Sequence, residues 1–142
     1  MCLEAQPLPA GRRVAILTNA GGPGILAADA CIANGLVVNE LSAMTMANLR
    51  GVVPNCASFA NPIDLGAAAE PREFEQSVPV VLGADDVDSL LVIYTTIAPE
   101  TSPAVLAAIE CGIGKVREIS GRKKPVLVCT MASAPVQPLH GR

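Results

Sequence analysis

Aromatic side chains are almost missing. Phe59, Phe74 and Tyr94 are the only three in 142 residues, and there is no tryptophan. A base-stacking platform for single-stranded nucleic acid has next to nothing to be built from, so the core must be assembled from Ala, Val, Leu and Ile. Histidine is scarcer still: the one example, His140, lies two residues from the end. No Ser-His-Asp constellation can be drawn from it, and no bound metal is expected. Charged residues make up only 16%, which excludes a disordered chain and a coiled coil rich in Glu, Lys and Arg. No apolar run approaches the 18 or so residues of a membrane span, and the opening MCLEAQPLPAGRR has no signal-peptide stretch. A cytoplasmic protein without membrane or nucleic-acid partners is expected.

The five cysteines (Cys2, Cys31, Cys56, Cys111, Cys129) are odd in number and form no C-x-x-C pair. They read as reduced, buried thiols. The net charge of −3 conceals an asymmetry, because residues 51–100 carry eight acidic side chains against Arg72 alone. Arg122-Lys123-Lys124 is too short for a nucleic-acid face and reads as a solvated helix end. Asp85, Asp86 and Asp88 precede an apolar run and read as a solvated turn, not a metal cluster.

Apolar runs separated by helical stretches dominate what is present. Val14–Thr18, Leu36–Val38, Leu90–Tyr94 and Val126–Cys129 read as strands. Between them the spacing predicts helices over 25–33, from Leu41-Ser42 with Ser42 as N-cap and Leu41 stapled onto Met46, from Pro71, and from Ser102-Pro103. Phe74, Val78 and Leu82 share one face of the third, which Pro79 is expected to break or kink. Val105, Leu106, Ile109, Ile113, Val116 and Ile119 recur at helical spacing in the fourth. Within it Gly112 and Gly114 are unfavourable, and close packing on the sheet is the expected reason. The fold class is therefore α/β: a three-layer open parallel sheet, strand order 2-1-3-4. Only a short stretch with Pro135 and Pro138 follows Cys129, so the domain reads as truncated before its last helix.

Asn19-Ala20-Gly21-Gly22-Pro23-Gly24 follows the first strand. Glycines let backbone amides approach an anion closely, and the helix behind adds the positive end of its dipole. The pattern is neither G-x-G-x-x-G nor a P-loop. An anion cradle and an ordinary tight β-to-α turn both fit. Ligands of open α/β sheets sit outside the carboxyl ends of the strands, which makes Thr95, Thr96, Thr130 and Ser133 candidate hydroxyls there. Asn61 and Asp64 would either line the same crevice or hold turns.

RRVAILTNAGGPGILAADAC, then GL…ELS…LR…VP, FANPIDLGAAAEPREFE, VDSLLVIYT and KKPVLVC together resemble the NDP-forming acyl-CoA synthetases. The likeness is to their third, flavodoxin-like ligase domain, counterpart of the carboxyl-terminal domain of the succinyl-CoA synthetase β subunit. It covers residues 12–131, with 1–11 as a flexible segment and 132–142 as a tail or truncated end. The resemblance implies the reaction acyl-CoA + NDP + phosphate = acid + CoA + NTP, through a phosphohistidine borne by a neighbouring domain. CoA-binding and ATP-grasp domains or subunits are the other implied partners, and an oligomer is compatible with it. CoA, ATP or ADP and Mg2+ are implied for the whole enzyme and none for this chain alone, which is not expected to be active by itself. Asn19, Ala20, Gly21, Gly22 and Gly24 would cradle the phosphate, and no catalytic residue is assigned. Pro79 and Gly66-Ala67-Ala68 depart from the family pattern. The same domains also occur in GNAT-fused protein acetyltransferases, where this unit would be a regulatory or interaction module.

Overall fold

The computed structural model describes residues 6–121 and 123–131. Cys2, Arg122, Ser133, His140 and the rest of 132–142 lie outside the described residues. The elements are β1 (Val14–Thr18), α1 (Gly21–Ala33), α2 (Ala43–Val52), β2 (Ile63–Asp64), α3 (Pro71–Gly83), β3 (Ser89–Thr95), a 3₁₀ turn at Pro99–Thr101, α4 (Ser102–Ser120) and β4 (Val126–Met131). The strands form one parallel sheet in the order β2-β1-β3-β4. This is the open, flavodoxin-like α/β arrangement that the alternation of strands and helices predicts.

β1 is apolar throughout because both its faces are covered, and all five of its residues are buried. Ala15 and Leu17 join Leu90, Val92 and Tyr94 of β3 in the larger core, under Leu49 of α2, Phe74 and Val78 of α3, and Val105 and Ile109 of α4. Val14, Ile16 and Ile93 face the other way, onto Ala28 of α1. Phe74 and Tyr94, two of the three aromatics, meet edge to face at 5.8 Å in the larger core.

Several expectations need correction. The second strand is not 36–38. Gly35 (φ 79°) and Leu36 end α1 by donating to the carbonyls of Ile32 and Cys31, a Schellman close that consumes Leu36. Only Val37 remains to bridge Arg13 in parallel, and the strand beside β1 is Ile63–Asp64. Between those two contacts the Asn61 side chain takes over the edge. Its Oδ1 accepts from the Ile16 amide at 2.9 Å, and its Nδ2 donates to the carbonyls of Val14 (2.8 Å) and Asn39 (3.0 Å).

Pro79 does not break α3, which runs through it. The Glu75 carbonyl that the proline deprives of a donor lies under Gly112 of α4, where an added Cβ would stand 3.1 Å from its oxygen. Helix α4 starts one residue earlier than expected: Thr101, after the 3₁₀ turn, is the N-cap in place of Ser102, which is already helical. Ile119 is 86% exposed and leaves the apolar stripe. Ser42 caps α2 as expected, accepting from the Thr45 amide at 3.1 Å.

The acidic turn is solvated only in part: Asp85 is exposed, while Asp86 and Asp88 hold structure. Asp88 is buried and takes a bidentate guanidinium from Arg13 at 2.9 and 2.7 Å, plus the Arg13 amide at 2.9 Å. Asp86 accepts from the Ser42 amide at 2.7 Å and pins the start of α2. The thiols are not uniformly buried either: Cys31 and Cys56 are half-buried, while Cys111 and Cys129 are exposed. Cys111, though exposed, faces α3, with its Sγ donating to Glu75 Oε1 at 3.4 Å.

Candidate functional site at the carboxyl edge of the sheet

The chain leaves β1 at Thr18, the point where crossovers turn from β2 on one side to β3 on the other. Such a switch point opens a crevice in open α/β sheets. Thr18, fully buried, folds the turn by accepting from the Ala20 amide at 3.0 Å through Oγ1 and donating to its carbonyl at 3.1 Å. Thr18 is not among the residues the sequence singled out, though a threonine two residues before a helix cap is a recognisable local turn former.

The glycine stretch is the first turn of α1 itself and not a loop before it. Ala20 is the N-cap with no side-chain hydrogen bond, and Gly24 closes the turn on the Ala20 carbonyl at 3.3 Å. The amides of Gly21 and Gly22 have no partner within the helix, and Pro23 brings no N–H. No acidic residue occupies this first turn, so the positive end of the dipole is uncompensated from within the helix.

The three glycines are there for different reasons. A Cβ on Gly24 would come within 3.0 Å of Thr18 Cγ2 and 3.3 Å of Pro62 Cβ, so its absence seats α1 on the sheet. A Cβ on Gly21 would meet the Asp64 carboxylate at 3.0 Å. Gly22 is exposed, and a Cβ there would meet nothing within 4 Å.

Asn19, Asp64 and Thr95 gather at this turn. Asn19 is 3% exposed; its Nδ2 donates to the Thr95 carbonyl at 2.9 Å and its Oδ1 accepts from the Thr95 amide at 2.8 Å. Asp64 turns Oδ1 to the Gly66 amide at 2.8 Å and presents Oδ2 toward Gly21. Thr95 Oγ1 is buried without a hydrogen-bond partner among the described residues, an uncommon condition for a buried hydroxyl. Thr96 and Thr130 lie further along the edge. Thr96 Oγ1 is 3.3 Å from Ser102 Oγ, and Thr130 pairs with Tyr94 on the face of the larger core. Asn61 lies beside the first half of β1, away from the turn, with its carboxamide engaged by the backbone of Val14, Ile16 and Asn39.

A cavity of about 630 Å³ opens elsewhere, between the end of α2 and the start of α3, lined among others by Val53, Leu65, Glu70 and Arg72. None of the candidate residues lines it. Among the described residues, no three His, Cys, Asp or Glu side chains converge as a metal site, and no helix is long and apolar enough to cross a membrane.

Fold and site together define an open parallel α/β domain with an uncapped, glycine-built helix N-terminus at its switch point. The family model of the Ligase-CoA domain matches residues 14–138, and the chain belongs to that family. It is 39% identical over 129 residues to the alpha subunit of an ADP-forming acetate–CoA ligase II of Pyrococcus furiosus, covering 89% of this chain and 27% of that one. An ADP-forming acetate–CoA ligase I of Archaeoglobus fulgidus is 35% identical over 102 residues, 72% of this chain and 14% of the relative. Among solved structures, the dinucleotide-forming acetyl-coenzyme A synthetase 1 of Ca. Korarchaeum cryptofilum, in complex with phosphate and ADP, superposes with a TM-score of 0.76 at 32% identity. That match covers 88% of this chain and 26% of the synthetase. The chain thus spans about a quarter or less of these relatives.

Proposed function

We propose that this chain is the ligase domain of an NDP-forming acyl-CoA synthetase, and that the N-terminus of α1 receives the phosphoryl group of a phosphohistidine carried by a neighbouring domain. Gly22 carries this reading. It is exposed and uncapped, and the fold gives no reason for it to lack a side chain. A backbone amide kept bare on a surface suits the approach of a group from outside the domain. An incoming phosphoryl group meets the Gly22 amide on the side away from Asp64, whose negative charge flanks Gly21. The role is electrostatic: fixed N–H dipoles hold an anion in transit and need not reorganise as it leaves.

The overall reaction, acyl-CoA + NDP + phosphate = acid + CoA + NTP, needs a nucleophile and a nucleotide site that these residues do not form. CoA, the nucleotide and Mg2+ are accordingly assigned to the CoA-binding, histidine-bearing and ATP-grasp partners, in a cytoplasmic assembly. The names of the relatives make acetate and ADP the acid and nucleotide to try first.

The test is Gly22→Val in the assembled synthetase. Since a Cβ there meets nothing, the thermal midpoint of the chain is expected to stay within about 3 °C, as for a change of under ~1 kcal/mol. Blocking one charge-assisted bond of about 1.5–3 kcal/mol is expected to lower phosphohistidine formation by roughly ten- to a hundredfold. Undiminished phosphorylation, or a collapse of the midpoint, overturns the reading.

A further inference from the structure

We infer that Asn19 is a positioning residue: it braces the β1–α1 turn against β3 so that the Gly21 and Gly22 amides face one spot, and it does not itself touch the bound group. The inference rests on the proposed phosphoryl-binding role of α1. The ladder between β1 and β3 runs from Val14↔Ser89 to Thr18↔Ile93. At Asn19 the backbone turns away into α1, while β3 continues through Tyr94 to Thr95. The Asn19 carboxamide then supplies the rung that the main chain no longer can. It offers one donor and one acceptor to the two backbone groups of Thr95, at 2.9 and 2.8 Å, across 76 residues of sequence. Asn61 does the same on the opposite edge of β1, with its own carboxamide between Ile16 and Val14.

Two properties separate bracing from direct contact. The residue is 3% exposed, and both its side-chain oxygen and its nitrogen are bonded to β3. The brace also lies in the crevice between β1 and β3, so any change in it moves the first turn of α1 relative to the sheet. Aspartate at this position would keep acceptance from the Thr95 amide and lose donation to its carbonyl, whereas alanine would leave both backbone groups without the carboxamide. Unmet buried backbone groups are costly, so the turn is expected to shift to satisfy them.

The experiment is a titration of the 142-residue chain with inorganic phosphate, followed by amide resonances. In the wild type, the Gly21 and Gly22 amides are expected to move with phosphate, and the Asn19 side-chain NH2 resonances are expected to stay. In Asn19→Ala, the dissociation constant of the folded chain is expected to rise on the order of tenfold, the equivalent of one net hydrogen bond. Asn19→Asp serves if the alanine variant does not fold, with the same rise expected. Thermal midpoints run in parallel separate loss of fold from loss of binding, since a purely structural role leaves the constant of the folded fraction unchanged. An unchanged constant in folded variants, or Asn19 NH2 resonances moving as far as the glycine amides, overturns the inference while the phosphoryl reading stands. A wild-type chain whose Gly21 and Gly22 amides ignore phosphate overturns both.

Discussion

Two glycines of α4, two residues apart, are expected to respond to alanine with opposite signs. Gly112 is buried against α3. A Cβ there would stand 3.0 Å from Val78 Cβ, 3.1 Å from the Glu75 carbonyl oxygen and 3.2 Å from Val78 Cγ1. None of these atoms is the free end of a flexible side chain; one is backbone, and Val78 is wholly buried. Alanine gains about 0.5–1 kcal/mol over glycine in a helix interior, and overpacking a well-filled site costs about 1–3 kcal/mol. The balance for Gly112→Ala is a loss on the order of 1 kcal/mol. At Gly114 nothing lies within 4 Å, so only the propensity gain of about 0.5–1 kcal/mol remains. For a chain of this length each ~1 kcal/mol shifts the midpoint by roughly 3–4 °C. Urea and thermal unfolding of the single variants, followed by far-ultraviolet circular dichroism with unchanged m-values, are the assays. If both variants were stabilised, or Gly112→Ala were neutral, α4 would not be seated on α3 through the carbonyl that Pro79 releases, and the packing argument would fail.

The Arg13 guanidinium, hydrogen-bonded to Asp88, holds that carboxyl at about 2, below its ordinary 3.8. Because the folded value is depressed, the pair's stabilisation is present above about 4 and is lost as the pH falls from there toward 2. The stability difference between wild type and Asp88→Asn, measured from pH 6 to pH 2, should therefore shrink in that window, and a difference independent of pH would contradict the pairing. At Cys111, the Glu75 carboxylate that accepts from its Sγ pushes the thiol above its usual range, with Lys115 opposing. Glu75→Gln should speed labelling of Cys111 by a thiol reagent at pH 8 while leaving Cys129 unchanged, because the thiolate is the reactive form; an unaltered Cys111 rate would refute the contact.

What the sequence determined by itself is the set of features whose cause lies within a few residues. The runs at 14–18 and 90–94 are apolar without alternation because a parallel sheet is covered on both faces there; the run at 126–129 is as apolar in sequence, although Leu127 and Cys129 are exposed. Ser42 caps α2 through an amide three residues on, and Asn34-Gly35 stops α1 by local geometry. The glycine turn could be placed at the carboxyl end of β1 for the same reason, and with it the location of the candidate site. The family likeness, too, was legible in the motifs, and the match over 14–138 bears it out.

Tertiary structure decided everything that depends on a partner far along the chain. Ile63–Asp64 is a strand of two residues with no periodicity to reveal it; it exists because β1 offers it an edge that Asn61 prepares. Pro79 should have ended a helix on local grounds, yet α3 continues, and the carbonyl the proline frees lies beneath Gly112. Gly112 and Gly114 are alike in sequence and unlike in surroundings, just as Gly22 differs from Gly21 and Gly24. Asn19 and Asn61 are short amides beside strands, and such residues commonly mark turns. Here each serves as a rung for backbone 76 and up to 47 residues away, because a side-chain carboxamide carries the same donor and acceptor as the peptide it replaces.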